Sequence, residues 1–314
     1  MRAQRPLSPW GEGIRAALSP ARATALKPLL DAFVESRPWA ERVRADPVEF
    51  PHRYDDPRDV EVVALISASL AYGRAELFKP KLAWLFDRLG AHPAKAVQAL
   101  DVRGAKKLLE GFVYRFNLPA DLGVLLMGIG RTLEARGSLE SHFVASLAAA
   151  GTWQGALAGF AGGIRAAAPQ RQLVRALGPT RGLAHLLPSA EAGAAKRLNL
   201  YLRWMVRGPD AIDFGIWKRI APSQLLMPLD THVMRIGRWL GLTRHSTISW
   251  RTAEELTASL RLLDPVDPVR YDFAICHYGM SGACPARPVK LNCRRCPLRG
   301  ACQIGRRLRE PSGG

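Results

Sequence analysis

The chain has 314 residues, 48% of them hydrophobic, which is enough for one large or two modest domains and argues against general disorder. Its formal net charge of +18 predicts an anionic partner, with nucleic acid the first choice. The basic N-terminus lacks the apolar segment of a signal peptide, and no apolar run approaches the ~20 residues of a membrane span. We therefore expect a cytoplasmic, nucleoid-associated monomer with no membrane partner.

Helical periodicity dominates the chain and strand patterns are scarce, which predicts an all-α fold of two packed lobes. We expect a loosely ordered segment over residues 1–25, a helical domain over 26–275, a cysteine loop over 276–306 and a basic tail over 307–314. The predicted helices, in chain order, cover residues 59–73, 79–90, 92–100, 105–116, 121–137, 138–151, 190–209, 231–240, 252–263 and 270–280.

The helix predicted over 190–209 begins with Ser189 as a candidate N-cap and Glu191 in its first turn. Gly208 and Pro209 would end it, since neither residue continues a helix well. Leu198, Leu202 and Met205 make its apolar stripe, and Lys196, Arg203 and Arg207 are expected to share another face.

Asp230 in "MPLDTHVMRIGRWLGL" is predicted to cap the following helix, whose residues Val233, Ile236 and Leu240 would face inward. The partial positive charge at a helix N-terminus keeps a capping carboxylate ionised. That charge has two interpretations: a purely structural cap, or the stabiliser of a cation that develops during a reaction. Arg235 and Arg238 are expected to point away from the inward-facing side of this helix and are candidate nucleic-acid contacts.

Cys284, Cys293, Cys296 and Cys302 are spaced C-x8-C-x2-C-x5-C, and four thiolates on one loop predict a metal site. Zinc ribbons usually have two C-x2-C pairs, so the unequal spacing favours an iron–sulfur cluster while zinc stays open. Arg294, Arg295 and Arg299 lie among these cysteines, where they would offset an anionic cluster or contact phosphates. Cys276, in an apolar helix, is expected to be a core residue.

The segment "PLDTHVMRIGRWLGL", followed about fifty residues later by the four cysteines, resembles the helix-hairpin-helix base-excision DNA glycosylases, particularly endonuclease III and its iron–sulfur relatives. The whole chain resembles a bacterial family of unknown function related to that superfamily. The segments that carry this second resemblance are "ALISASLAYGR", "YRFN", "GAAKRLNLYLRWMVR", "LDTHV", "DPVDPVRYDFA" and the cysteine loop.

The resemblance implies a two-lobed glycosylase-like fold, a [4Fe–4S] cluster on the four cysteines, a catalytic role for Asp230, and damaged double-stranded DNA as the partner. The sequence departs from the glycosylases at their hairpin L-P-G-V-G-x-K-T-A. The nearest segment, "LPSAEAGAAKRLNLYL", keeps Leu187, Pro188, Gly193 and Lys196. The long segment from Lys196 to Asp230 is more similar to the archaeal 8-oxoguanine glycosylases.

Lys196 is therefore either a Schiff-base nucleophile, with Arg197 as its cationic neighbour, or a solvated, phosphate-contacting lysine. Arg197 is also a candidate nucleic-acid contact. The first hypothesis is a DNA glycosylase, with or without lyase activity, that flips a damaged base out of the duplex. Tyr72, Tyr201, Trp204 and Trp217 are possible stacking residues, although their helical spacing favours the core, and Asp213 is expected at the surface. The alternatives are a catalytically silent nucleic-acid binder and an RNA-directed or redox-sensing iron–sulfur protein.

Overall fold

The computed structural model describes residues 14–188 and 193–307, and it confirms the all-α class for them: they contain no β-strand. Three short 3-10 segments, Trp39–Ala45, Pro47–Glu49 and Pro51–Arg53, follow the first helix, and a fourth covers Pro222–Gln224. The helices are α1 (Pro20–Glu35), α2 (Pro57–Leu70), α3 (Ala75–Leu89), α4 (Pro93–Gln98), α5 (Val102–Leu108), α6 (Pro119–Arg136), α7 (Leu139–Ala150), α8 (Trp153–Ala167), α9 (Gln170–Leu177), α10 (Leu183–Leu186), α11 (Lys196–Val206), α12 (Thr231–Leu240), α13 (Trp250–Arg261), α14 (Asp272–Met280), α15 (Lys290–Arg294) and α16 (Gln303–Arg307).

The described residues fall into two compact units. The first unit comprises Val43–Ile220, and the second combines residues 14–42 with residues 221–307. This division differs from the predicted 26–275 domain, because α1 belongs with the C-terminal helices. None of the described helices combines the length and apolar character that a membrane span requires.

The sequence predicted a loosely ordered segment over residues 1–25, but helix α1 begins within this segment, at Pro20. Ser19 caps α1 by accepting a hydrogen bond from the Arg22 amide, and Pro20 occupies the first turn. The Ala17 amide donates to Ser259 Oγ at 2.9 Å, and Leu18 is buried. Helix start signals and a buried leucine therefore order this part of the chain, while residues 1–13 lie outside the described residues.

Glycines allow the helices of the first unit to pack directly against one another. A Cβ atom on Gly128 of α6 would lie 2.2 Å from the Ile164 carbonyl oxygen, and one on Gly130 would lie 2.1 Å from that of Val97. Side chains larger than hydrogen would therefore separate α6 from α8 and α4.

A buried ion pair holds the segment after α11 in the first unit. The Arg203 guanidinium lies 3.0 Å from the Asp213 carboxylate, and both side chains are almost fully buried. The surface placement predicted for Asp213 is thus wrong, and Arg203 is buried with it. The two charges remain inside because each satisfies the other, and removal of one partner would leave a costly unpaired charge.

Two helix predictions also need correction. The chain is not helical throughout 105–116, because α5 ends at Leu108 and a tight turn with a Tyr114–Asn117 bridge follows. The helix predicted over 190–209 begins at Lys196 and ends at Val206. The expected N-cap Ser189 and the first-turn Glu191 lie outside the described residues. Ala195, with φ of 44°, directly precedes the helix in the left-handed region.

The aromatic side chains of α11 and the segment after it belong to the core. Tyr201 and Trp204 are fully buried, and Trp217 is 3% exposed. The Trp217 indole donates a hydrogen bond to the buried Glu61 carboxylate at 2.7 Å, while its ring stands edge-on to Tyr201. For these three residues the core interpretation is confirmed, and they are not available to stack on a base in this conformation.

Candidate functional site

Asp230 caps α12 as the sequence predicts. Its Oδ1 atom accepts hydrogen bonds from the amides of His232 at 2.8 Å and Val233 at 2.7 Å. The side chains of Val233, Ile236 and Leu240 are buried, so the apolar face of α12 fixes the direction of the helix. The amides at the helix N-terminus stabilise negative charge on a carboxylate that is half-buried.

The second carboxylate oxygen of Asp230 faces a cysteine. Cys276 Sγ donates to Oδ2 at 3.3 Å, and the same sulfur lies 3.8 Å from Met280 Sδ. Cys276 is half-buried and contacts the candidate catalytic group, whereas the sequence predicted a core thiol. The reason for the difference is tertiary, because α14 packs against the start of α12 and turns this side of the helix toward Asp230.

A glycine makes the contact between α12 and α14 possible. A Cβ atom on Gly279 would lie 2.7 Å from His232 Cβ, which cannot move without moving the α12 backbone. Gly279 therefore sets how closely Cys276 approaches Asp230.

We expect Gly279→Ala to lower the free energy of unfolding by about 1–3 kcal/mol, because the added methyl group overpacks this contact. The matched control is Gly162→Ala in α8, where an added Cβ meets nothing within 4 Å. There the better helix propensity of alanine should leave stability unchanged or raise it by up to about 1 kcal/mol. Urea denaturation of both variants makes the comparison, and equal midpoints would contradict the close packing.

Arg235 joins α12 to the cysteine loop. It donates a hydrogen bond to the Cys284 carbonyl oxygen at 2.6 Å and lies 3.2 Å from His232 Nδ1. Its guanidinium lies over Trp239 at 5.9 Å from the ring centroid. The sequence suggested a nucleic-acid contact for Arg235, but in this conformation it positions the loop.

All four cysteines of the loop line one pocket. Cys284, Cys293, Cys296 and Cys302 line a small pocket of about 30 Å³ together with Trp239, Pro288 and Arg299. All four are free thiols of intermediate exposure. The loop therefore brings its cysteines to a common space, as their clustering in the sequence suggests.

The thiols do not converge on a single ion. Within residues 14–188 and 193–307, no group of three or more His, Cys, Asp or Glu side chains is arranged to hold one metal ion. Burial raises the pKa of Cys284 to about 11, with Arg235 opposing this shift and Cys296 and Cys302 adding to it. The pKa of Cys293 is raised by burial and by the neighbouring thiols of Cys302 and Cys296. Raised pKa values keep these groups protonated at neutral pH, so a bound metal would have to displace their protons.

Tyr278 supports this pocket from α14, and sequence reasoning missed it. Its side chain forms a hydrogen bond with Cys296, and burial together with the neighbouring cysteines raises its pKa. The ring packs edge-on against Phe33 with centroids 5.2 Å apart, and the Arg37 guanidinium lies 5.2 Å from its centroid. Helix α14 thus contacts Asp230 through Cys276 and the cysteine pocket through Tyr278.

The remaining arginines predicted to bind nucleic acid differ in exposure. Arg238, Arg294 and Arg295 are exposed, whereas Arg299 is half-buried and lines the cysteine pocket. The first three are therefore accessible to a partner, and Arg299 is placed to offset negative charge on the thiols.

Lys196 and Arg197 belong to the first unit, at the start of α11. Lys196 is half-buried and follows the left-handed Ala195. Arg197 donates a hydrogen bond to the Ser69 carbonyl oxygen and lies 5.0 Å from the centroid of Tyr72. Burial lowers the pKa of Arg197 to about 10, so it stays charged at neutral pH. Arg197 is thus bound within its own unit.

The turn "YRFN" presents aromatic and cationic groups at the surface of the first unit. Reciprocal backbone hydrogen bonds of 3.0 and 2.8 Å between Tyr114 and Asn117 close the turn, and Arg115 adopts φ of 51° within it. Phe116 is 51% exposed and stacks on exposed His185 with centroids 4.8 Å apart. The Arg115 guanidinium lies 5.7 Å from the centroid of Phe116.

This group, which we call the YRFN surface, comprises Arg115, Phe116, His185 and the half-buried Tyr72. Tyr72 stacks on His185 with centroids 6.0 Å apart and is held by a hydrogen bond to Asn117. Of this surface, sequence reasoning named only Tyr72 as a stacking candidate, and it used the segment YRFN only for the family resemblance.

A family model described as a protein of unknown function, DUF2400, matches residues 46–281. The chain belongs to this family. The DUF2400 match covers about three quarters of the chain and includes Lys196, Asp230 and Cys276. It ends before Cys284, so the four cysteines lie outside the matched region. No curated protein and no solved structure matches the chain.

Proposed function

We propose that this DUF2400 protein is an iron–sulfur, DNA-binding protein of base-excision repair, with a two-lobed glycosylase-like fold, that excises a damaged base from duplex DNA. The observation that carries the proposal is the carboxylate of Asp230, fixed at the N-terminus of α12 and tied through Arg235 and α14 to a pocket lined by four cysteines. The "LDTH" resemblance to the endonuclease III group supports the same assignment.

The geometry of Asp230 suits stabilisation of a sugar cation. Its Oδ1 atom is oriented by two backbone amides, while Oδ2 accepts from a thiol, which is a weak donor. The carboxylate is thus held in a fixed orientation before positive charge develops nearby, so it needs little reorganisation. Such preoriented charge is usually the largest single contribution to catalysis.

In the proposed reaction the bond between the deoxyribose C1′ and the base nitrogen breaks, and its electron pair leaves with the base. Asp230 stabilises the resulting positive charge on C1′ and accepts a proton from the attacking water, whose oxygen bonds to C1′. The departing base takes up a proton, and an abasic site remains. If the Lys196 amine attacks instead, its nitrogen bonds to C1′ and loses a proton, and the C1′–O4′ bond then breaks with O4′ taking up a proton. The resulting imine permits β-elimination, in which a C2′ proton and the 3′ phosphate leave.

Four thiols that line one pocket would suit a [4Fe–4S] cluster, with zinc as the alternative. The unequal spacing of the cysteines and the resemblance to the endonuclease III group favour the cluster. A bound cluster would supply cross-linking of the loop, while Tyr278 and Arg235 orient the loop from α14 and α12.

Two surfaces would contact the nucleic acid. Arg238, Arg294 and Arg295 are exposed cations of the second unit and suit phosphate contacts. In the first unit, the exposed rings of the YRFN surface would stack against an unpaired base, with Arg115 adding positive charge. A second candidate function is a catalytically silent binder on the same frame, favoured by the loss of the hairpin glycines near Lys196.

Borohydride trapping tests the proposal. The metal-loaded protein is mixed with duplexes that carry an abasic site, 8-oxoguanine or an oxidised pyrimidine, and covalent adducts are counted. An adduct lost in Lys196→Ala but kept in the control Lys95→Ala, an exposed lysine of α4, identifies lysine attack. Base loss without an adduct identifies water attack. Tight DNA binding with neither an adduct nor base loss would contradict the glycosylase proposal and favour the catalytically silent binder.

A further inference from the structure

A groove between α5 and α9 in the first unit carries concentrated positive charge. Arg103, Lys106 and Lys107 line it from α5, and Ala176 and Leu177 line it from α9. The groove, which we call the α5–α9 groove, has a volume of about 420 Å³ and is open to solvent. All three cations are exposed.

These cations have no described counterion. Within residues 14–188 and 193–307, none of the three side chains takes part in an ion pair or hydrogen bond. Among the described lining residues the single carboxylate is Glu110. The nearby Asp101 is occupied as the cap of α5, where it accepts from the Gly104 amide at 2.6 Å.

The three cations lie on a helix that is anchored to its neighbours by apolar packing. Ala105 of α5, Val124 of α6 and Leu173 of α9 are buried in one apolar cluster, against which Leu177 packs. Positions 103, 106 and 107 lie on one face of a helix and span about 6 Å along its axis. The exposed residues Arg171 and Arg175 add charge on α9. The groove thus presents a row of cations and not one isolated site.

We infer that the α5–α9 groove binds the phosphate backbone of duplex DNA, as a contact surface additional to those around Asp230 and the YRFN turn. A row of cations on a fixed face suits a polymer with regularly repeated phosphates better than a single small anion. An anionic membrane surface would also attract these cations, and binding to phosphatidylserine vesicles distinguishes the two partners. The choice of DNA as the polyanion rests on the proposed function.

The test compares two triple variants of the full chain that lose the same charge. The groove variant is Arg103→Gln, Lys106→Gln and Lys107→Gln. The control is Arg58→Gln, Lys95→Gln and Arg136→Gln, which removes three exposed cations of the same unit that do not line the groove. Affinity for an undamaged duplex is measured by fluorescence anisotropy at several salt concentrations, and thermal melting verifies folding.

We expect the groove variant to bind at least about tenfold more weakly near physiological salt, with a salt slope smaller by up to about 2.7, because each phosphate contact contributes about 0.9. The control variant should lose much less affinity for the duplex. Equal losses in the two variants, or an unchanged groove variant, would overturn the inference while leaving the proposed excision intact. A groove variant that loses only binding to single-stranded RNA or phosphatidylserine vesicles would also overturn it. Absence of DNA binding by the wild-type protein would overturn both.

Discussion

Asp230→Asn is expected to lower the rate of base excision by roughly 10²–10⁴-fold while leaving the fold and DNA affinity nearly unchanged. Asparagine caps a helix about as well as aspartate, so its side-chain oxygen can still accept from the amides of His232 and Val233. The free energy of unfolding should therefore change by less than about 1 kcal/mol. What disappears is the negative charge that stabilises the cation on C1′ and accepts the proton from water.

Asp56→Asn is the matched control for this prediction. Asp56 caps α2 by accepting from the Arg58 amide at 2.8 Å, and its side chain is exposed in the first unit. The same chemical change there should alter neither excision nor binding. Single-turnover kinetics with excess enzyme separate the chemical step from product release. Wild-type excision rates in the Asp230→Asn protein would show that the carboxylate is only a structural cap.

Cys293→Ser and Cys296→Ser are expected to abolish the visible absorbance of an iron–sulfur protein and to lower iron content well below about four atoms per chain. Each replaces one thiol that lines the pocket with a hydroxyl, which binds iron poorly. Because the cluster would hold the loop together, both variants should also unfold more easily and bind DNA more weakly. The loss of DNA affinity follows from disorder of the segment that carries Arg294 and Arg295.

Cys276→Ser is the control, since it makes the same exchange at a thiol that does not line the pocket. It should retain full iron and sulfide, because its sulfur faces Asp230. Zinc at one atom per chain, with no iron after anaerobic purification, would contradict the iron–sulfur assignment and favour the zinc alternative. Wild-type stability and DNA affinity in the metal-free Cys293→Ser protein would show that the pocket has no structural role.

Local signals were sufficient for much of the fold around Asp230. The proline before the turn, the capping aspartate and the apolar spacing of Val233, Ile236 and Leu240 all act within a few residues, and the structure has the helix where they predict it. The same holds for the core position of Tyr201 and Trp204, since aromatic residues at helical spacing usually face the interior.

Features that depend on tertiary packing were not predictable in this way. Nothing near Cys276 indicates that its thiol meets a carboxylate 46 positions earlier in the sequence. The buried pair of Arg203 and Asp213 was missed because isolated charged residues are expected at the surface, and only the partner makes burial tolerable. The strained Arg115 turn likewise requires the surrounding contacts to hold it.

The most direct test of the central claim is release of a free base from lesion-bearing duplexes by the metal-loaded wild-type protein, followed by mass spectrometry beside the Asp230→Asn protein. The account predicts at least one lesion from which the wild-type protein releases the base and leaves an abasic site, with release reduced by at least about 10²-fold in the variant. No release from any oxidised, alkylated or deaminated base by a protein that binds these duplexes tightly would contradict it.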